Sequence, residues 1–145
     1  MAAPMFADYT IAVQGHFDAT GTYSAAFLLA DNTPAVAVVI AETHVTDDSP
    51  TTIAAKAAAQ SALQALQHSS ETSPVELVIA AFAAANQAVR QQFDLTSKQV
   101  LCSMALALLI DGKTLYVGNV GLLRIYLNSH TEGLIQLTLD HTTAN

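Results

Sequence analysis

The sequence has few basic residues, since five lysines and arginines stand against twelve acidic residues and give a formal net charge of −7. Proteins bind nucleic acid through a basic surface, and anionic membranes attract clusters of lysine and arginine. We therefore expect neither nucleic acid nor a membrane as a partner of this chain.

Cysteine and long apolar runs are also scarce. The single cysteine, Cys102, excludes an internal disulfide, as is usual for proteins of the reducing cytoplasm. The longest apolar run, around residues 100–110, is much shorter than the about 20 residues that span a bilayer. The N-terminus lacks the basic and apolar segments of a secretory signal peptide. These absences predict a cytoplasmic protein.

Charged residues make up only 12% of the chain, whereas hydrophobic residues make up 52%. Ordinary domains contain about 25% charged residues, so this chain has few charges to cover its surface. We expect exposed apolar surface that a partner covers, and self-association would supply that partner. The length of 145 residues fits a single domain, 1–145.

Two helices are predicted in the middle of the chain. Alanine-rich residues 51–67 predict the first helix. Ser73, followed by Pro74 and Glu76, forms a capping-box pattern that predicts the start of the second. Three- and four-residue steps on the second helix predict one shared face: Val75, Ile79, Phe82, Asn86, Val89 and Phe93.

Apolar segments bounded by turn residues predict strands on both sides of the helical pair. The predicted strands are 8–15, 24–31, 35–42, 100–110, 114–120, 122–128 and 134–139. Residues 16–23 predict a polar turn, and Asp-Gly-Lys, residues 111–113, predicts a hairpin turn. Strands clustered before and after two helices favour the α+β class, with antiparallel sheet and both helices on one face.

The segment DGKTLYVGNVGLLRIYLNSHTEGLIQLTLDHT, residues 111–142, carries the most specific pattern. It resembles the hairpin of type 2C metal-dependent protein serine/threonine phosphatases, whose bacterial members carry dG-LyVaNvGdSRaYL followed by l-qLT-DHS. The matching residues occur in the same order: Gly112, Leu115, Tyr116, Val117, Asn119, Val120, Gly121, Arg124, Tyr126, Leu127, Gln136, Leu137, Thr138, Asp140 and His141.

The resemblance implies a phosphatase 2C-like fold. That fold would be an incomplete antiparallel β-sandwich of about seven strands, with an α-helical hairpin packed on one sheet. The chain would correspond to the N-terminal part of the family domain only.

Family members hydrolyse phosphoserine and phosphothreonine with two divalent cations, so the resemblance implies Mg²⁺ or Mn²⁺ held by carboxylates and one glycine carbonyl. At the matching positions, Glu42 replaces a bridging aspartate and Thr43 replaces the ligating glycine. Leu122 replaces the aspartate of the late turn. Glu42 and Thr43 are therefore remnant candidates for a metal site that we expect to be lost. The remnant of the site loop comprises Gly121, Leu122 and Arg124.

We predict a catalytically inactive phosphatase-like domain that acts as an interaction or regulatory module, with no cofactor and no catalytic residue. Its expected partner is a second copy, meeting through sheet faces, or another protein segment that completes the sandwich. The alternative is a divergent Mg²⁺- or Mn²⁺-dependent serine/threonine phosphatase in which Glu42 acts with Asp18, Asp47 or Asp48.

Two other residue types were candidates for phosphate chemistry. Cys102 has no glycine-rich anion cradle beside it, so a buried structural thiol is the favoured interpretation. Phosphate recognition uses arginine, and the chain has only Arg90 and Arg124. This scarcity disfavours a phosphoprotein-binding module, and we expect Arg124 to pair with a nearby acid instead.

Overall fold

The computed structural model describes residues 20–44, 52–92 and 101–140, which form two antiparallel sheets and two helices. The elements are β1 (Thr20–Leu28), β2 (Pro34–His44), α1 (Thr52–His68), α2 (Pro74–Gln92), β3 (Leu101–Ile110), β4 (Thr114–Val120), β5 (Tyr126–Ser129) and β6 (Gly133–Gln136). The predicted α+β class is confirmed. The described residues contain six strands rather than seven, and the further predicted strand, 8–15, lies outside them.

Four strands lie side by side in the order β1-β2-β3-β4, each antiparallel to its neighbour. The register places Val39 opposite Leu106 and Glu42 opposite Ser103. Successive side chains of a strand point to opposite faces, so Val39 and Leu106 share one face while Glu42 and Ser103 share the other. We call the face that carries Glu42 and Ser103 the distal face, because both helices pack on the opposite one.

The connection between β3 and β4 confirms the hairpin expected at the sequence Asp-Gly-Lys. Asp111 and Gly112 have φ angles of 52° and 64°, as a type I′ turn requires. The Lys113 N–H donates a hydrogen bond of 3.0 Å to the Ile110 carbonyl. A turn of this type matches the twist of the two strands and fixes their register.

The core lies between the sheet and the two helices. Its largest fully buried side chains are Val39, Leu66, Leu77, Leu106 and Leu108, and each contributes about 1.5–3 kcal/mol by leaving water. Alanines fill much of the remaining helix surface, which lets α1 approach the sheet closely.

Helix α1 approaches the sheet closely at Gly21 on β1. A Cβ atom built there would lie 2.8 Å from the Ala55 carbonyl oxygen and 2.9 Å from the Lys56 Cα. Both atoms belong to the backbone of α1, so a side chain at residue 21 would push the helix away from the sheet.

The face predicted to be buried on α2 is partly wrong. Val75 and Ile79 are 54% and 56% exposed, whereas Leu77, Ala81 and Ala85 are buried. The helix is rotated from the predicted face because small alanine side chains allow close packing against α1. The start of the helix agrees with the sequence, since the Glu76 N–H points at the Ser73 Oγ at 3.5 Å.

Several strand ends differ from the sequence prediction. Residues 20–23, predicted as a turn, belong to β1 because β2 extends far enough to pair with them, as in Thr20 opposite Glu42. Residues 122–125, predicted as strand, precede β5, since the Ile125 N–H donates to the Thr138 Oγ1 instead of a ladder carbonyl. The strand predicted at 134–139 ends at Gln136 because Thr138 turns inward and is buried.

Strands β5 and β6 form a separate two-stranded sheet. A hairpin of this size is marginally stable alone, and exposed leucines lie on and beside it. We call Leu122, Leu127, Leu134, Leu137 and Leu139 the hairpin leucines, and their exposed fractions range from 36% to 82%. Neither of the two described helices combines the length and the apolar character needed to cross a membrane.

Candidate functional site

The connection from β4 to β5 packs directly on β3 at Ser103. Gly121 has a φ angle of 86°, and a Cβ built on it would overlap the Ser103 hydroxyl. The Leu122 N–H donates a 3.0 Å hydrogen bond to the same Ser103 Oγ. A left-handed backbone and the absence of a side chain are both needed here, and only glycine supplies both without strain.

Leu122 occupies the loop position at which the resemblance implies a metal-linked aspartate. Its side chain is 64% exposed and carries no oxygen. Its backbone N–H is committed to Ser103. The loop therefore keeps a defined shape without offering a ligand from this side chain.

Arg124 forms a bidentate ion pair with Asp140. The Nε atom donates to Oδ1 at 2.7 Å and the Nη2 atom donates to Oδ2 at 2.5 Å. The hydrogen bonds to Asp140 and to Tyr126 raise the pKa of the guanidinium above its usual value. The pairing agrees with the expectation that Arg124 contacts an acid, and its donors point at Asp140 rather than at a phosphate position.

Further polar residues of the motif tie the same segments together. The Asn119 Nδ2 donates to the carbonyls of Leu123 and Leu139, at 3.3 and 3.1 Å. The Gln136 Nε2 donates to the Thr138 carbonyl at 2.7 Å and to the Asp140 Oδ1 at 3.0 Å. These hydrogen bonds fix the loop before β5 against the segment after β6, so the polar residues of this motif have a structural role here.

Glu42 and Thr43 lie at the end of β2, on opposite faces of the sheet. The half-buried Glu42 is opposite Ser103 on the distal face, whereas Thr43 is buried toward the helices, opposite Cys102. Ser103 thus stands between Glu42 and the Gly121–Leu122 loop. The structure brings Glu42 and this loop to one place and directs the Thr43 side chain away from it.

Ser103 is the residue that sequence reasoning missed at this place. It is 3% exposed, and it accepts the hydrogen bond that positions Leu122. In the sequence, Ser103 is a hydroxyl residue in an otherwise apolar strand. Without the register that places it opposite Glu42, it cannot be distinguished from any other small core residue.

The described residues do not fit a pair of divalent cations. Such a pair needs several oxygen donors that converge, and among positions 42, 43 and 122 only Glu42 carries a carboxylate. No cluster of three or more His, Cys, Asp or Glu side chains occurs in residues 20–44, 52–92 and 101–140. Asp18, Asp47 and Asp48 lie outside the described ranges.

Cys102 lies on the helix side of β3 and lines a cavity of about 330 Å³ with Phe82, Val89 and Met104. Burial, with a smaller effect from the nearby Glu42 carboxylate, raises the pKa of the thiol to about 11. A thiol of that pKa is protonated at neutral pH and is a poor nucleophile. This agrees with the prediction of a structural cysteine, while the cavity beside it had no sequence signal.

Among known proteins, no curated protein and no solved structure matches the chain. The family model for Protein phosphatase 2C matches residues 22–145, a range that includes Glu42, the two helices and the hairpin. The match covers most of the chain and confirms the resemblance seen in residues 111–142. The chain therefore belongs to the protein phosphatase 2C family.

Proposed function

We propose that this chain is a catalytically inactive member of the family that acts as an interaction or regulatory module without a metal cofactor. One observation carries the proposal. The loop around residue 122 keeps its glycine corner and its hydrogen bond to Ser103, yet it presents an exposed leucine in place of a carboxylate.

Loss of the cations changes the balance of charge at such a site. Carboxylates gathered around two cations repel one another once the cations are gone, and each raises the pKa of the others. A chain that no longer binds metal is therefore stabilised when such a carboxylate is replaced by an apolar residue. Leu122 fits this substitution, and the Arg124–Asp140 pair preserves the fold around it.

The interaction role is supported by the hairpin leucines. Leu134 and Leu139 are 69% and 82% exposed, and exposed apolar side chains concentrated on one element are a common mark of a protein–protein contact. The occupant we propose is a second copy of the chain or another protein segment that completes the sandwich. The low basic content supports a protein partner rather than nucleic acid or a membrane, and the single cysteine supports a cytoplasmic location.

A second candidate function is a divergent Mg²⁺- or Mn²⁺-dependent serine/threonine phosphatase. The position of Glu42 favours it, because this carboxylate lies on the distal face opposite Ser103, beside the Gly121–Leu122 loop. In that case Asp18, Asp47 or Asp48 would have to supply the remaining ligands.

A hydrolysis assay separates the two functions. The full chain is incubated with excess Mn²⁺ or Mg²⁺ and either p-nitrophenyl phosphate or a phosphothreonine peptide, with Glu42→Gln as the matched control. We expect the release of phosphate to equal that of the control. Metal-dependent turnover that is lost in Glu42→Gln would establish the phosphatase.

A further inference from the structure

The outer face of α2 differs from that of α1. On α1 the exposed stripe is polar at every fourth residue: Lys56, Gln60, Gln64 and His68. On α2 the exposed face is apolar at Ile79, Ala80 and Ala83, where Ile79 is 56% exposed, and it becomes polar after them, at Asn86 and Gln87. A solvent-facing helix does not need this apolar half, so the contrast with α1 points to a contact on α2.

The charges on α2 are placed symmetrically about Ala83. Glu76 lies seven residues before Ala83 and Arg90 lies seven residues after it. A spacing of seven returns to nearly the same side of a helix, so all three side chains share the exposed face. Neither Glu76 nor Arg90 forms an ion pair with another residue in the part of the chain that the structure describes.

We propose that two copies of this chain pair through α2 in an antiparallel arrangement, with the two-fold axis at Ala83. A two-fold contact is self-complementary. A residue that lies a given number of positions before Ala83 therefore meets the partner's residue that lies the same number of positions after Ala83. Glu76 then faces the partner's Arg90, and Arg90 faces the partner's Glu76. The same arrangement places Ile79 against the partner's Gln87 and Ala80 against the partner's Asn86, so that both apolar side chains lose contact with water beside the axis.

The dimensions of a helix support this pairing. Seven residues rise about 10.5 Å along the axis, so both ion pairs lie two turns from the crossing point. Helices that cross at about 20° still keep side chains at that distance adjacent. The small side chain of Ala83 allows the axes to approach to about 8 Å, the near end of the usual range.

The contact is small, because its apolar part comprises a few residues on one helix. Interfaces of this kind belong to the weak, transient class, so the dimer forms in a concentration-dependent manner. The proposal is independent of the proposed function, since α2 packs on the face of the sheet opposite the distal face and the pairing does not use the hairpin leucines.

Sedimentation velocity of the full chain over a range of concentrations tests the pairing. We expect the wild type to shift toward dimer as concentration rises, and to shift back at high salt, which screens exposed ion pairs. Glu76→Arg and Arg90→Glu each replace both attractive pairs by repulsive ones, so each should weaken the dimer about 10-fold.

The double variant Glu76→Arg/Arg90→Glu restores opposite charges across the axis and should recover the wild-type dissociation constant. Glu132→Arg, an equal charge change on the exposed β5–β6 turn, serves as the control and should leave association unchanged. Circular dichroism verifies that each variant is folded, and the two single variants test the same pairs from opposite ends of the helix. A wild type that stays monomeric, single variants that match it, or a double variant that is not rescued would each overturn the proposal.

Discussion

The Arg124 guanidinium and the Asp140 carboxylate meet in a bidentate ion pair that joins the loop before β5 to the segment after β6. The two residues are sixteen positions apart, so the pair closes the hairpin region across its base. Asp140 also accepts a hydrogen bond from Gln136. The pair therefore acts as a clamp on the hairpin region.

Replacing Arg124 by alanine should destabilise the fold modestly. Both side chains are substantially exposed, at 48% and 39%, so solvent screens much of the attraction. We expect a fall in the thermal unfolding midpoint of about 2–4 °C, and a similar fall for Arg124→Lys, because lysine keeps the charge and loses the two-point geometry.

Lys113→Ala is the matched control for this prediction. Lys113 pairs with Asp111 at 3.7 Å, and its side chain is 79% exposed, so its removal should leave the midpoint unchanged. Equal midpoints for wild type and Arg124→Ala would show that the clamp carries no stability.

The fold was predictable from the sequence where local chemistry decides it. Ser73 and Glu76 placed the start of α2, and Asp111 with Gly112 placed a hairpin, because capping and turn geometry depend on adjacent residues. The buried side of α2 was not predictable, since Val75 and Ile79 are more apolar than the alanines that pack against α1. The end of β6 was missed for a related reason, because Thr138 is buried through a hydrogen bond from Ile125, thirteen residues away.

Gly121→Ala should destabilise the chain severely. The added Cβ would overlap the Ser103 hydroxyl in a backbone conformation with φ of 86°, so steric and conformational costs add to about 2 kcal/mol or more. Urea unfolding measures the loss.

Gly112→Ala separates the two costs. Gly112 has a φ of 64° and no atom within 4 Å of a built Cβ, so it should lose only the conformational part, about 1 kcal/mol. Equal losses at both glycines would mean that the Gly121 loop does not pack on Ser103 as described.

The thiol of Cys102 should make stability depend on alkaline pH. Its pKa is about 11 in the folded chain, above the ordinary 9.0, so the folded state holds the proton more tightly than the unfolded state. The stability from this group is fully present below pH 9.0 and is lost as the pH rises toward about 11.

Chemical unfolding at several pH values between 8.5 and 11, with Cys102→Ala as the comparison, measures this loss. The wild type should lose stability faster than the variant across that window. Glu42→Gln should reduce the difference slightly, because the Glu42 charge is the smaller of the two causes. Parallel pH profiles for wild type and Cys102→Ala would contradict the burial of the thiol.

The hairpin leucines should bind a dye that fluoresces in apolar surroundings while the chain is folded. Leu134→Ser and Leu139→Ser together should lower the fluorescence of bound anilinonaphthalene sulfonate without lowering the unfolding midpoint, because both side chains are largely exposed. Leu28→Ser, at the end of β1 and 44% exposed, is the control and should leave the dye signal unchanged. A dye signal that persists in the double variant would mean that these leucines do not form the apolar surface.

The sequence was sufficient to locate the candidate site, but not to predict which side chains the sheet brings together there. The segment around residues 111–142 identified the family and pointed to Leu122, while the role of Ser103 depends on a register between β2 and β3 that the sequence does not encode locally. Glu42 lies in the predicted strand end, yet only the folded sheet shows that it shares the distal face with Ser103 and that Thr43 does not.

Isothermal titration of Mn²⁺ into the full chain, with Glu42→Gln alongside, tests the proposed loss of the dinuclear centre most directly. We expect no saturable heat in the wild type beyond that of the variant, because Leu122 and Thr43 offer no carboxylate to a cation. Binding of two Mn²⁺ ions per chain that disappears in Glu42→Gln would contradict the account.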